Sequence, residues 1–216
     1  MWGERKKGAG PKKDPNSGVS HLKREALASR YPVHVTMKVQ KELPKLRRKA
    51  CLLVIAEAFA KGCERAGRLE DGCFRLVQYS IQNDHLHLIV EAKDRRSLSR
   101  GIQGLAIRIA KGLNRLWERK GKVWADRYHD HILRSPREVR NALRYVLNNG
   151  RRHGKHHDQK RPDGYSSGAW FDGWKDYVPD GWLGEWGPIA RAHTWLLNQG
   201  WRRYGLLALI ESPRAG

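Results

Sequence analysis

The sequence predicts an α+β protein: a ferredoxin-like split βαβ antiparallel sheet with helices on one face, plus a Trp-rich C-terminal extension. Three observations carry this expectation. Strand-like and helix-like segments follow one another in the order β-α-β-β-α-β and then a further helix. The second and third strand segments are separated only by the turn residues Gln82-Asn83-Asp84. Beyond His157 the composition shifts, with six of the nine tryptophans falling in residues 158–216.

The first thirty residues hold eight Lys or Arg, three acids and a scatter of Gly and Pro, which reads as a flexible basic arm over residues 1–30. Residues 31–157 form the main domain and 158–216 the extension. Val33 to Val39 alternates β-branched and polar side chains, a half-buried first strand. Leu46 through Ala66 carries apolar residues near 3.6 spacing and predicts the first helix. Phe74 to Ile81 and His85 to Ala92 predict a hairpin. Leu98, Ile102, Leu105, Ile109, Leu113 and Leu116 recur at helical steps and predict the second helix. Val123 to Leu133 reads as a strand or strand pair. Ser135-Pro136-Arg137-Glu138 combines an N-cap serine, a proline at the first helical position and a glutamate at the third, which starts the third helix. A short helix is expected around Ile189 to Leu197.

With 39% hydrophobic and 30% charged residues the chain can bury a core. No apolar run approaches the roughly 20 residues of a membrane span, and the N-terminus lacks an apolar signal region. The three cysteines lack metal-knuckle or disulfide-framework spacing, so a cytoplasmic setting is expected. The 43 Lys plus Arg against 22 Asp plus Glu give a net charge of +21, which calls for a polyanionic partner. Residues 94–161 hold 19 of those bases against six acids, concentrating phosphate contact around the second and third helices.

Candidate chemistry gathers at two places. On the third strand, His85 and His87 project to one side while Leu86, Leu88 and Val90 project to the other. The two imidazoles are either ordinary strand histidines or a pair converging on one metal ion. On the third helix, Val139, Ala142, Leu143, Val146 and Leu147 form the buried stripe, Arg137, Arg140, Arg144 and Arg151 lie opposite, and Tyr145 and Asn149 stack four residues apart on the border. Tyr145 is either a rim residue or a hydroxyl offered to a phosphate. A divalent cation held by His85, His87 and the Asn149 amide oxygen would polarise a scissile phosphate, and the Tyr145 hydroxyl would attack it. A rival arrangement is His129 and His131 with Tyr128 as nucleophile. Tail aromatics such as Trp170, Phe171, Trp174, Tyr177, Trp182 and Trp186 either pack onto the main domain or stack unpaired bases.

The histidine-hydrophobe-histidine strand, the capped helix with Tyr145 and Asn149, and the segment Trp124-Ala125-Asp126-Arg127-Tyr128-His129 together resemble the HUH single-tyrosine transposases, most closely their REP-associated branch. The resemblance covers roughly Val33 to His153. It implies a transposase-like endonuclease and strand transferase acting on single-stranded or hairpin DNA, with Tyr145 as nucleophile and a 5′-phosphotyrosine intermediate. It implies His85, His87 and Asn149 at a Mg²⁺ or Mn²⁺ ion, Mn²⁺ being the easier fit to imidazoles. Arg127, Arg137, Arg140, Arg144, Arg151 and Arg152 are the expected nucleic-acid contacts, in a monomer or homodimer associated with a bacterial nucleoid. The alternative is a non-catalytic protein that binds hairpin DNA or RNA on the same fold.

Overall fold

The structure, a computed structural model, describes residues 24–68, 73–179 and 188–211. Strand β1 (Val33–Lys38) leads through a loop into helix α1 (Lys49–Arg68), followed by the hairpin β2 (Phe74–Ile81) and β3 (His85–Ala92). Helix α2 (Arg95–Leu116), strand β4 (His129–Ile132) and helix α3 (Pro136–Leu147) complete the main unit. The sheet order is β2-β3-β1-β4, with every neighbouring pair antiparallel. This is the split βαβ arrangement expected from the element order.

Hydrophobic periodicity explains the layers. Cys51, Ile55, Ala58 and Phe59 of α1 and the stripe from Leu98 to Leu113 of α2 are buried against Val33, Val35, Met37, Leu86, Leu88 and Val90 on one face of the sheet. Leu116, at the end of the expected stripe, is exposed at the last turn of α2. Asp94 caps α2 by accepting from the Ser97 amide, which satisfies one of the free N–H groups of the first turn. Helix α3 lies on the opposite face. There Val139, Leu143, Val146 and Leu147 join Ile89 and Val77 of the sheet and the tail residues Phe171, Trp174 and Trp201 in a second core.

The extension is therefore packed onto the main unit. Phe171 stacks on Trp201 at 5.5 Å and meets Trp174 edge-on at 5.2 Å, and all three are buried. It also runs along the outer side of β2: the Ile81 amide donates to Tyr165 O, the Tyr79 amide to Ser167 Oγ, and the Ala190 amide to Leu76 O. Trp182 and Trp186 lie outside the described residues.

Three expected boundaries differ. The strand placed at Val123 to Leu133 is four residues long, because Trp124 pairs only through an isolated bridge to Val39 before the chain leaves the sheet. The helix expected at Ile189 to Leu197 is α5 (Trp195–Asn198), since the Thr194 hydroxyl accepts from the Leu197 amide and fixes the start there. Upstream, the His193 and Thr194 amides donate to the buried Glu91 carboxylate, which holds that stretch extended. Of the arm expected over residues 1–30, residues 1–23 lie outside the described ones, whereas Leu27 is buried and Arg24 packs on Tyr128.

Candidate active site

The α3 side of the sheet carries a patch of histidines. Register places Thr36 opposite His87 and Lys38 opposite His85, and places His131 and His129 of β4 opposite His34 and Thr36. Directly paired residues share a face, so His34, Thr36, His85, His87, His129 and His131 all project toward the side on which α3 lies.

Within this patch the ring contacts form a chain. His85 Nδ1 lies 2.8 Å from Asp84 Oδ1, the Nε2 atoms of His85 and His87 lie 2.9 Å apart, and His87 Nδ1 is 3.2 Å from both Thr36 Oγ1 and His34 Nε2. An aspartate carboxylate accepts only, so His85 carries its proton on Nδ1 and turns a lone pair outward on Nε2. His87 then has two choices. It donates Nε2–H to His85, or it keeps its proton on Nδ1, where Thr36 and His34 accept it, and turns a second lone pair beside the first. The latter pair suits a cation, with each ligand ring anchored through its other nitrogen. Burial, and the neighbours His131 and His129, push His34 down to about 4. His87 is pushed lower still by burial and by His34, His85 and His153, so both rings stay neutral and available as lone-pair donors near neutral pH. Burial raises Asp84, but His85 and Lys38 outweigh it and hold the carboxyl below its ordinary range.

Helix α3 brings the hydroxyl. Its start is fixed by the full capping box, with Ser135 accepting from the Glu138 amide and Glu138 accepting from the Ser135 amide. Two and a half turns on, the Tyr145 ring lies 5.0 Å from the His87 ring and 5.8 Å from His34, edge-on to both. Tyr145 is only partly buried, and among the described residues no hydrogen bond engages its hydroxyl. The Arg152 guanidinium stands over the same ring at 5.6 Å.

Asn149 opens a new short helix, α4 (Asn149–Arg152), instead of extending α3. The break is at Asn148, whose side-chain amide donates to Ala208 O and Glu211 O of the tail. Asn149 is fully buried, and among the described residues neither its amide nitrogen nor its amide oxygen has a partner. Such an orphaned buried amide is costly unless a ligand completes it. By donor type, the His85 and His87 imidazoles and an unpaired amide oxygen are groups that suit a divalent ion. Among the described residues there is no group of three or more His, Cys, Asp and Glu side chains placed to hold a metal.

The arginines divide. Arg140 grips Glu211 through both its terminal nitrogens and donates to Gly205 O and Leu206 O, and Arg144 joins the same carboxylate at 3.1 Å. These two hold the tail against α3. Arg151 ties the following loop through Asp158 O and Arg161 O. Arg127, Arg137 and Arg152 are exposed, with Arg137 over the Tyr204 ring at 5.5 Å. The rival nucleophile Tyr128 is on the far side of the sheet from His129 and His131, against Ser99 and beneath Arg24. His34 and Thr36 escaped the sequence reading, although the alternation of Val33 to Lys38 already set them on the polar face.

Residues 30–149 match the family described as "Transposase IS200 like". None of the curated proteins matches the chain. A solved REP-associated tyrosine transposase bound to a REP hairpin is similar at a TM-score of 0.56 and 15% identity, covering 81% of this chain and 99% of that one. At that identity the likeness is one of fold. A bacterial tRNA(His) guanylyltransferase-like protein in complex with GTP is similar over 55% of this chain and 62% of its own, at 15% identity and a TM-score of 0.38, which carries no argument.

Proposed function

Because the chain belongs to the IS200-like transposase family, we propose that it cuts and rejoins single-stranded DNA beside hairpin-forming repeats, with Tyr145 as the nucleophile. The observation that carries this reading is the meeting of a partly exposed tyrosine, its hydroxyl without a partner among the described residues, with the His85–His87 pair and the Arg152 guanidinium.

A divalent metal held by His85, His87 and Asn149 would supply Lewis-acid polarisation of the scissile phosphate. The chain's own residues supply the rest. Thr36 and His34 keep the His87 proton on Nδ1, and Asp84 keeps the His85 proton on Nδ1, so both Nε2 atoms point forward as donors of lone pairs. Arg152, over the Tyr145 ring, offsets phosphate charge. The Tyr145 oxygen bonds to phosphorus as its proton passes to solvent at this partly exposed position, and the bond from phosphorus to the 3′-oxygen breaks. That oxygen takes up a proton and leaves as a 3′-hydroxyl. The phosphotyrosine retains the energy of the broken bond, so a second 3′-hydroxyl can displace the tyrosine and join another end. Arg127 and Arg137, with Arg152, are the exposed members of the expected nucleic-acid contacts, whereas Arg140, Arg144 and Arg151 act by shaping α3 and its flanks. The hairpin held by the similar REP-associated transposase supports a hairpin as the substrate class.

The test is direct. With Mn²⁺ and a hairpin oligonucleotide, the protein should form a denaturant-resistant species linked to the 5′ end of the cleaved DNA. Tyr145→Phe should still retain the hairpin but form no such species. Equal adduct from both proteins would refute the assignment, and retention without any adduct from the unaltered chain would leave a binding protein.

A further inference from the structure

A concavity lies at the same end of the sheet as the histidine pair, on the opposite face. Its volume is about 350 Å³, and Trp124, Tyr128, Met37, Ala106, Gln103 and Arg24 are among the residues that line it. Met37 sits on β1 between Thr36 and Lys38, the two positions paired with His87 and His85. The cavity and the candidate active site are thus back to back. Tyr128, immediately before β4, lies against α2 at Ser99, whereas His129, the first residue of β4, faces the histidine patch; β4 is a sheet edge, so a strand leaving that patch can pass around it into the cavity.

Its walls have a distinctive chemistry. The polar ends of both aromatic residues are already satisfied within the fold: Trp124 Nε1 donates to Ala106 O at 3.0 Å, and Tyr128 Oη meets Ser99 Oγ at 3.1 Å. What Trp124 and Tyr128 offer the cavity is ring surface. Arg24 is fixed with its guanidinium 3.7 Å from the Tyr128 ring centre by bonds to Tyr128 O and Asp130, so a planar cation is stacked on a planar ring at the cavity wall. Gln103, exposed on α2, brings an amide that can both donate and accept, as the edge of a base requires. A flat, polar-edged aromatic ring fits these features, whereas an aliphatic ligand would leave the amide and guanidinium unmatched. In a chain of net charge +21, the source of such a ring is a nucleic acid.

We propose that this cavity takes up one unpaired nucleobase of the DNA strand engaged at Tyr145, with the base lying among Trp124, Tyr128 and Arg24 and its edge read by Gln103. This rests on the single-stranded DNA reading above. A base anchored behind the sheet sets how far along the strand the phosphate facing Tyr145 lies, which makes the cavity a ruler for the cleavage position.

The experiment uses the full chain with hairpin oligonucleotides whose unpaired flanking nucleotides are replaced, one at a time, by 2-aminopurine or by an abasic residue. One flanking position should show a marked fluorescence change on binding, and an abasic residue there should weaken binding about tenfold or more. Ala106→Leu, which fills the cavity, and Gln103→Ala, a surface change that spares the fold, should each weaken binding of the intact strand and have little further effect on the abasic one. A flat abasic scan overturns the proposal, as does equal weakening of intact and abasic strands by both variants. Adduct formation through Tyr145 alongside a flat scan sinks the cavity assignment alone. Failure to retain any hairpin sinks both it and the reading on which it rests.

Discussion

At the scale of single residues, the histidine patch is decided by which nitrogen holds which proton. Removing both acceptors behind His87, with Thr36→Val and His34→Leu together, should weaken Mn²⁺ binding by about 10–100-fold, read from the paramagnetic signal of the free ion. The same rings set a pH dependence. His34 is lowered to about 4 and His87 further, so below the ordinary histidine range the unfolded chain binds protons that the folded chain does not. Stability is then full above about pH 6.5 and falls as the pH drops from there through about pH 4. Unfolding free energies from urea titrations at about pH 7.5 and about pH 5 should differ by roughly 1–3 kcal/mol, and His34→Leu should shrink that difference. An unchanged value would mean the rings are hydrated and titrate freely.

At the scale of elements, the parts fixed by local rules were legible and the parts fixed by distant partners were not. Ser135-Pro136-Arg137-Glu138 announced α3 because its capping box is complete within four residues. Ser135→Ala should cost about 1 kcal/mol in chemical denaturation, without altering the spectrum of the folded state. The β2–β3 hairpin was equally local. By contrast, the break at Asn148 depends on tail carbonyls some sixty positions away, so Asn149 read as a continuation of the same helix. Arg140 and Arg144 read as an open basic face because nothing near them in sequence discloses Glu211. His34 was a lone histidine in a strand until the register of β3 brought His87 against it. Tyr145 was legible as a candidate from its border position, but its nearness to His87 is a tertiary fact.

At the scale of the whole molecule, the charge of +21 governs encounter with a polyanion. If roughly four cations meet phosphates of a single strand, hairpin affinity should fall by at least about tenfold between 50 and 200 mM salt. A salt-independent affinity would show that base contacts alone hold the DNA. The tail completes the second core and, in doing so, lies against β2 at Leu76, Tyr79 and Ile81. A four-stranded sheet would ordinarily present two unprotected rims to other molecules, but here one of them is sutured shut by Tyr165 to Ser167 and Ala190 of the same chain. Among the described residues, strand addition is left with β4 alone. Two copies joining through that rim would each use up the one edge left open among the described residues, so such a pairing closes on itself and does not propagate into a fibre.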